Sequence, residues 1–339
     1  MKYPLGLAEA IRKLGGKIFS QTTAITAEGG FPARVTTAQG FQIMADAVVM
    51  ATNIPANEGF TLSAKLAAYR SYVIGVRVPK GLAPQALLWD TEEPSHYLRT
   101  VKDPSASEDV LIIGGEDHRT GHAIHPEERY LRLQQWAQNR LHLEPKMVFR
   151  WSGQIIEPVD GLALISRNPG DKDNVFVITG DSGHGLTHGT LGAMILRDLI
   201  LDRENPWAEV YDPLRVSWRG FDTYLREAVQ TTAPYSEWIL PGDVSSTDEI
   251  KQGEGATVRD GLKKVAVYRD PSGGLHSFSA VCPHLGGIVR WNSSEKTWDC
   301  PCHRSRFDKL GECLNGPAVQ GLTEMADPSV EDELPVSVT

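Results

Sequence analysis

Apolar and polar positions change period several times along this chain, and each change predicts an element. Leu7, Ile11 and Leu14 recur at helical spacing, and Gly15-Gly16 ends that helix. Lys17 to Thr22 reads as a strand, and Val35–Thr37 with Gly40–Met44 as a hairpin. Ala47-Val-Val-Met-Ala51 predicts a buried strand ending in Thr52-Asn53. Residues 70–78 alternate and predict an antiparallel strand, continued as a sheet by Tyr97–Val101 and Val110–Ile113. A helix is predicted over Pro126–Leu143, with Leu131 and Trp136 inside, then a strand over Met147–Trp151. Trp151 too is expected in the core. Val175-Phe-Val-Ile-Thr179 predicts a second buried strand, running through a glycine-rich turn into a helix up to Leu201. Another helix is predicted over Val216–Val229. Beyond Pro241-Gly242 the pattern breaks into short strands and turns.

The succession predicts two domains, as a length of 339 residues suggests. The fold class is α/β, a partial dinucleotide-binding domain with an antiparallel sheet, followed by a small all-β domain. The expected boundaries are residues 1–230 for the first domain, 231–242 for a linker and 243–339 for the second. Apolar content of 41% and charged content of 23% are ordinary for a globular protein. The net charge is −9 with no basic stripe, which argues against nucleic acid as a partner. No run of 18 apolar residues occurs, so no membrane span is expected. The N-terminus lacks an apolar secretory segment. All four cysteines fall within residues 282–313, a metal pattern suited to a reducing cytoplasm.

That metal pattern is Cys282-Pro-His284, fifteen residues, then Cys300-Pro-Cys-His303. Two thiolates and two imidazoles are the ligand set of a Rieske [2Fe-2S] centre, whose potential lies above that of an all-cysteine cluster. Two Cys and two His also suit structural zinc, but zinc sites usually pair Cys with Cys and His with His. Here each pair is mixed. The second pair is not C-x-x-C-H, so it is no c-type haem site. A second signal is Gly180-Asp-Ser-Gly183-His-Gly185 at a strand-to-helix junction. Glycines there let a ligand approach the backbone at a helix N-terminus, although such turns are often purely structural.

The stretch from Lys264 to Ala318 resembles a Rieske domain. The carrying residues are Val281-Cys282-Pro-His284-Leu-Gly286, Trp298-Asp-Cys300-Pro-Cys-His303, Ser305-Arg-Phe307-Asp308 and Gly316-Pro-Ala318. The resemblance implies iron ligation by Cys282, His284, Cys300 and His303, with both imidazoles on an exposed rim. It also implies that Ser305 hydrogen-bonds cluster sulfur. Two positions depart from the family. Gly287 stands where a second cysteine is common, and Arg304 where glycine is common. Cys302 thereby lacks its usual disulfide partner. A bond to Cys313 and two free thiols both remain open.

Residues 1–230 resemble the later two-thirds of FAD-dependent oxidoreductases of the D-amino-acid-oxidase or glycine-oxidase type. The matching features are Ala51-Thr52-Asn53 at a strand end, Trp151-Ser-Gly153 with Asp160-Gly161, and the loop Gly180-Asp181-Ser182-Gly183-His184-Gly185-Leu186-Thr187. The resemblance implies FAD contacts by Ala51, Thr52, Asn53 and Gly180–Thr187, and a backbone contact to the adenine side by Thr22-Thr23-Ala24. Glu116, Asp117 and His118 become candidates for a place near substrate or flavin; a solvated turn is the alternative. His122, His125 and His184 are further candidates, with packing or surface roles as the alternative. These families begin with a strand, G-x-G-x-x-G and a helix that hold the FAD pyrophosphate. No such segment occurs here. The expectation is a piece of a longer protein; a late start codon and a variant that has lost FAD are the alternatives. The combination resembles bacterial FAD-dependent oxidoreductases with a C-terminal Rieske domain. It implies oxidation of a small-molecule amine or alcohol, FAD and a [2Fe-2S] cluster as cofactors, and a redox partner as electron acceptor. The alternative is an electron-transfer module on a scaffold that no longer catalyses.

Overall fold

The computed structural model describes residues 2–55, 62, 65–102, 107–120, 126–142, 146–215 and 233–325. His122, His125 and the helix predicted over 216–229 lie outside them. The first helix, α1 (Lys2–Lys13), has the expected spacing but buries no side chain. The strand expected at Lys17–Thr22 does not form. Pairing begins later, where β1 (Ala24–Glu28) meets β2 (Ala33–Thr37), which pairs in turn with β3 (Gln42–Ala45). β4 (Val48–Met50) follows, and only its Met50 is fully buried.

The largest sheet has five antiparallel strands. These are β5 (Leu66–Pro79), β6 (Leu87–Trp89), β7 (His96–Val101), β8 (Glu108–Arg119) and β9 (Lys146–Pro158), in the order β6-β7-β8-β5-β9. β5 is long, lies between β8 and β9, and is almost wholly buried. Its Tyr72, Ile74, Val76 and Val78 pack with Leu111 and Ile113 of β8 beneath α2 (Pro126–Leu141). α2 contributes Tyr130, Leu133 and Ala137 to that core. Leu131 points outward and is 56% exposed. Trp151, expected in the core, is 45% exposed, because β9 is an edge strand with an uncovered face. Phe149, two residues earlier on the same face, is exposed as well.

The chain then returns to β4. β10 (Leu164–Arg167) pairs antiparallel with β11 (Val175–Thr179), and β11 pairs parallel with β4. Parallel strands are covered on their faces, and α3 (Gly185–Ile200) provides cover here. Gly192 of α3 sits so close to Ile178 that an added Cβ would come within 2.7 Å of it.

The C-terminal part is all β, as expected. β12 (Glu254–Asp260), β13 (Lys263–Arg269) and β14 (Leu275–Ser279) form one antiparallel sheet. β15 (Arg290–Asn292), β16 (Thr297–Asp299), β17 (Arg306–Asp308) and β18 (Cys313–Asn315) form a second. Trp298 and Phe307 are fully buried in the core that also holds Cys282, Cys300 and Cys302. No helix among the described residues is long and apolar enough to cross a membrane.

Candidate functional site

The two candidate iron-ligand loops are held by their own backbones. Cys282 N–H donates to Gly287 O (2.8 Å) and Gly286 N–H to Cys282 O (3.0 Å). In the second loop Cys300 N–H donates to Ser305 O (2.8 Å) and Arg304 N–H to Cys300 O (3.0 Å). Arg304 adopts φ 74°, the left-handed region that usually calls for glycine. The sequence Pro-Cys-His-Arg therefore closes a tight turn that sets Cys302 beside Gly287 and His303 beside His284 of the first loop.

Cys282 and Cys300 are 1% exposed, with Cys302 fully buried beside them. Hydrogen bonds from Cys282 and Cys302, then backbone N–H groups, hold the Cys300 sulfur well below the usual thiol range, so it carries charge readily. Sharing that bond, and burial, push the Cys282 and Cys302 thiols up. Ser305 is fully buried, accepts from Ala318 N–H (2.9 Å), and hydrogen-bonds the Cys282 sulfur. The imidazoles of His284 and His303 lie edge to face with centroids 5.0 Å apart. Burial keeps both neutral, lowering His303 to about 4. Neutral imidazole is the form that binds metal. His284 Nδ1 is buried with no hydrogen-bond partner among the described residues, an orphan that a metal ion would satisfy. The donor set and its cradle therefore fit a [2Fe-2S] cluster. The expected exposed rim is corrected in part: His284 is half-buried, but His303 is only 8% exposed.

Gly287 explains the absent disulfide. A Cβ there would stand 2.6 Å from Cys302 Sγ and 3.1 Å from Cys300 Sγ. Cys302 and Cys313 are both free thiols, and Cys313 Sγ donates instead to Ala318 O (3.0 Å). Gly287→Ala is expected to push Cys302 against Cys300 and to lower the iron bound per chain by half or more. Iron and acid-labile sulfide assays check this, and wild-type loading in the variant would refute it. The segment expected as a linker contributes as well. Tyr235 Oη donates to Leu285 O (2.8 Å) and Trp238 Nε1 to Gly286 O (2.9 Å), so it braces the first ligand loop.

The flavin candidates meet at a different cavity of about 440 Å³. Ala51, Asn53, Gly180, Asp181, Gly183 and Gly185 line it. Thr179 Oγ1 donates to Asn53 O (2.5 Å) and ties the ends of β4 and β11 together. Gly180 has φ 70°, and a Cβ there would come within 2.6 Å of Pro158 Cγ. The turn thus depends on glycine twice, for conformation and for space. Thr52 lines neighbouring cavities, and Leu186 lines a surface pocket with Tyr3 and Leu7. Ser182, His184 and Thr187 do not line the cavity among the described residues. Sequence reasoning missed Gln154 and His188, which do line it. Their spacing was the only signal: Gln154 lies one residue past Trp151-Ser-Gly153, and His188 one helical turn past His184. Gln154 Oε1 and Ser182 Oγ are buried without a partner among the described residues. The unpaired Gln154 beside a helix N-terminus and a bare glycine loop fits a polar flavin edge.

Glu116, Asp117 and His118 lie on β8, outside that cavity. Glu116 accepts from Arg132 Nε (2.7 Å) and Arg129 Nη1 (3.3 Å) and so bolts α2 to the sheet. Asp117 hydrogen-bonds Ser71, and burial raises its carboxyl. His118 Nδ1–H donates to Arg119 O (2.7 Å), which leaves Nε2 to accept from Tyr72 Oη (2.9 Å). Burial, reinforced by the Arg129 and Arg70 charges, lowers His118 to about 4 from its ordinary 6.5. The folded state therefore resists a proton that the unfolded chain accepts. Stability from this group is complete above pH 6.5 and is lost as pH falls towards 4. Between those limits the wild type is expected to lose about 2 kcal/mol more than His118→Gln, after allowance for solvent screening. Urea titrations at both pH values check it; parallel losses would reject it.

The two parts of the chain are joined by buried polar contacts. Arg304 Nη2 donates to Leu66 O of β5 (2.8 Å). Arg70 Nη1 donates to Ser152 Oγ (2.5 Å) and to Glu295 Oε2 (3.1 Å), and Glu295 also pairs with Arg306 and Ser152. Arg306 Nε donates to Asp299 Oδ1 (2.8 Å). Burial alone would raise Asp299, but the charges of Arg306 and Arg70 hold it below its ordinary value.

Two family profiles match this architecture. The one described as FAD dependent oxidoreductase, DAO, covers residues 1–199, and the one described as Rieske [2Fe-2S] domain covers residues 241–326. The chain belongs to the FAD-dependent oxidoreductase (DAO) family and carries a Rieske [2Fe-2S] domain. The first implies FAD and the second a [2Fe-2S] cluster, which removes structural zinc as an alternative. The chain is 30% identical over 331 residues to the Rieske 2Fe-2S iron-sulfur protein YhfW of Bacillus subtilis, covering 96% of this chain and 64% of the relative. A cytochrome b6-f complex iron-sulfur subunit from Prochlorococcus marinus is 29% identical over 151 residues, 44% of this chain and 77% of that one. The crystal structure of glycine oxidase from Geobacillus kaustophilus aligns with a TM-score of 0.50 and 18% identity, over 62% of this chain and 56% of that one. That likeness speaks to fold alone. The chain thus spans less than two thirds of the length of YhfW and of the glycine oxidase.

Proposed function

We propose that this chain is the flavin-edge and iron–sulfur part of an oxidoreductase that takes electrons from a small amine and passes them singly to a redox partner. When bound, FAD would supply two-electron hydride chemistry and the [2Fe-2S] cluster one-electron transfer. The chain's own residues hold, orient and insulate. Cys282, Cys300, His284 and His303 would hold the iron. Ser305 and the backbone N–H groups place dipoles against sulfur, which favours the reduced state. Ala51, Asn53 and the Gly180–Gly185 loop would hold the flavin edge.

One observation carries the proposal. Leu66 touches both sites. Its carbonyl accepts from Arg304, the neighbour of His303, and its Cδ2 lies 3.1 Å from where a Cβ on Gly180 would be. The second ligand loop and the flavin loop are therefore separated by one residue of one buried strand. The free Cys302 and Cys313 thiols fit a reducing compartment such as the cytoplasm.

The test is a rapid-mixing experiment on full-length protein loaded with both cofactors. Substrate amines, glycine among them, should bleach flavin absorbance, and the cluster signal should follow within the same turnover. Flavin bleaching with an unresponsive cluster would refute the coupling; a chain that takes up iron and never flavin would refute the oxidase part.

A further inference from the structure

The 440 Å³ cavity at the glycine loop does not end on the oxidoreductase side. Asn53 and Gln154 also line a neighbouring space of about 190 Å³, whose opposite wall is Leu314, Asn315 and Gly316. Thr52, Ile54, Leu314 and Gly316 then line a third space of about 390 Å³, which reaches Thr23 and Ala24. Shared residues string the three into one trough. Its three volumes together exceed what a small amine would fill, and its middle is lined by Asn53, Gln154 and Asn315. One wall is the end of β18 with the turn that follows it. That turn reaches the candidate cluster's surroundings through Ala318 N–H, which donates to Ser305 Oγ (2.9 Å). Leu314 is 53% exposed and lines the trough.

We propose that the Rieske segment Leu314–Gly316, at the end of β18, is part of the dinucleotide-binding site, so that FAD is held between the two domains and not by the oxidoreductase domain alone. This rests on the assignment of the glycine-loop cavity to flavin. The segment supplies an apolar side chain at Leu314 and a bare backbone at Gly316, which suit the uncharged stretch of a dinucleotide. A carboxylate introduced at Leu314 would be desolvated against that uncharged stretch, a cost that a neutral asparagine largely avoids. The arrangement also explains why Gln154 Oε1 is buried without a partner among the described residues beside this wall.

The test titrates the chain, loaded with iron and sulfide, with FAD and follows flavin fluorescence. Leu314→Asp is expected to weaken FAD binding about tenfold and Leu314→Asn to leave it within about twofold. Iron content and the EPR spectrum of the reduced cluster should match the wild type in both, showing that the segment still folds. In a second measurement, bound FAD should slow alkylation of Cys313 by N-ethylmaleimide, because Cys313 lines the third space. Equal FAD affinity in all three proteins, with Cys313 alkylated at the same rate with and without FAD, would overturn the inference and leave the flavin cavity standing. Failure of the unsubstituted chain to bind FAD at all would overturn both.

Discussion

Cys300→Ser is expected to abolish the [2Fe-2S] cluster, with loss of the visible absorbance and of the EPR signal of the reduced protein. Cys300 is the most strongly acidified sulfur of the set, because two thiols and the backbone N–H groups of Cys302 and His303 point at it. A serine hydroxyl is a far poorer donor to iron and is not ionised there. The damage will extend to folding. Cys282, Cys300 and Cys302 are packed into one core with Ile288, Val289, Trp298 and Phe307. Without iron, His284 Nδ1 stays buried and unpaired, and the dipoles arranged around sulfur lose their charge. Each unsatisfied buried group costs about 1–3 kcal/mol, so a loss of roughly 3 kcal/mol or more is expected. Cys313→Ser is the control. That thiol bonds to Ala318 O, so its loss should leave the spectrum intact. A normal EPR spectrum from Cys300→Ser would remove the ligand assignment.

Glu295→Ala is expected to cost about 3–5 kcal/mol and to split unfolding into two transitions. Glu295 sits on the Rieske side of the junction and neutralises two guanidiniums at once. Arg70 is 1% exposed, and burial and the Arg306 charge already disfavour its charged form. Arg70 Nε and Nη2 have no other partner among the described residues. Removal of the carboxylate leaves two like charges facing each other in a dry contact, with Asp299 the remaining counter-charge. Glu295→Gln keeps the shape and should recover part of the loss. The pair Lys13–Glu9 is the comparison: both side chains are at least two-thirds exposed, so Lys13→Ala should change stability by no more than ~0.5 kcal/mol. Calorimetry reads all three. A single unshifted transition in Glu295→Ala would mean that the junction contributes nothing.

The ligand loops were legible because their chemistry is local. Cys282 and His284 are two residues apart and Cys300 and His303 three, and loops that short bring both members of a pair to one place. Gly180 was legible for a related reason, since a turn that excludes a Cβ advertises itself as glycine. Four strands of the main sheet were expected from their apolar runs, but β6 (Leu87–Trp89) was not. Errors fell where sheet order decides exposure. Trp151 is as apolar as any core residue, but β9 lies at an edge and leaves it half in water. His303 was expected at an exposed rim and is buried. Lys17–Thr22 has strand-like residues and no ladder partner among the described residues. Gln154 carried no cofactor signal of its own, since a lone glutamine in a strand is unremarkable until its neighbours across space are known.

By itself, then, the sequence determined the cofactor classes and the two-part organisation and supplied a candidate iron-ligand set, because these depend on residue type and on separations of a few positions. Tertiary structure decided how the parts meet. Arg304 reaches Leu66 across 238 positions and Ser152 reaches Glu295 across 143. No period or motif encodes such pairs. They exist because folding removes water from one junction, and each buried charge there must find a partner at whatever distance along the chain that partner lies.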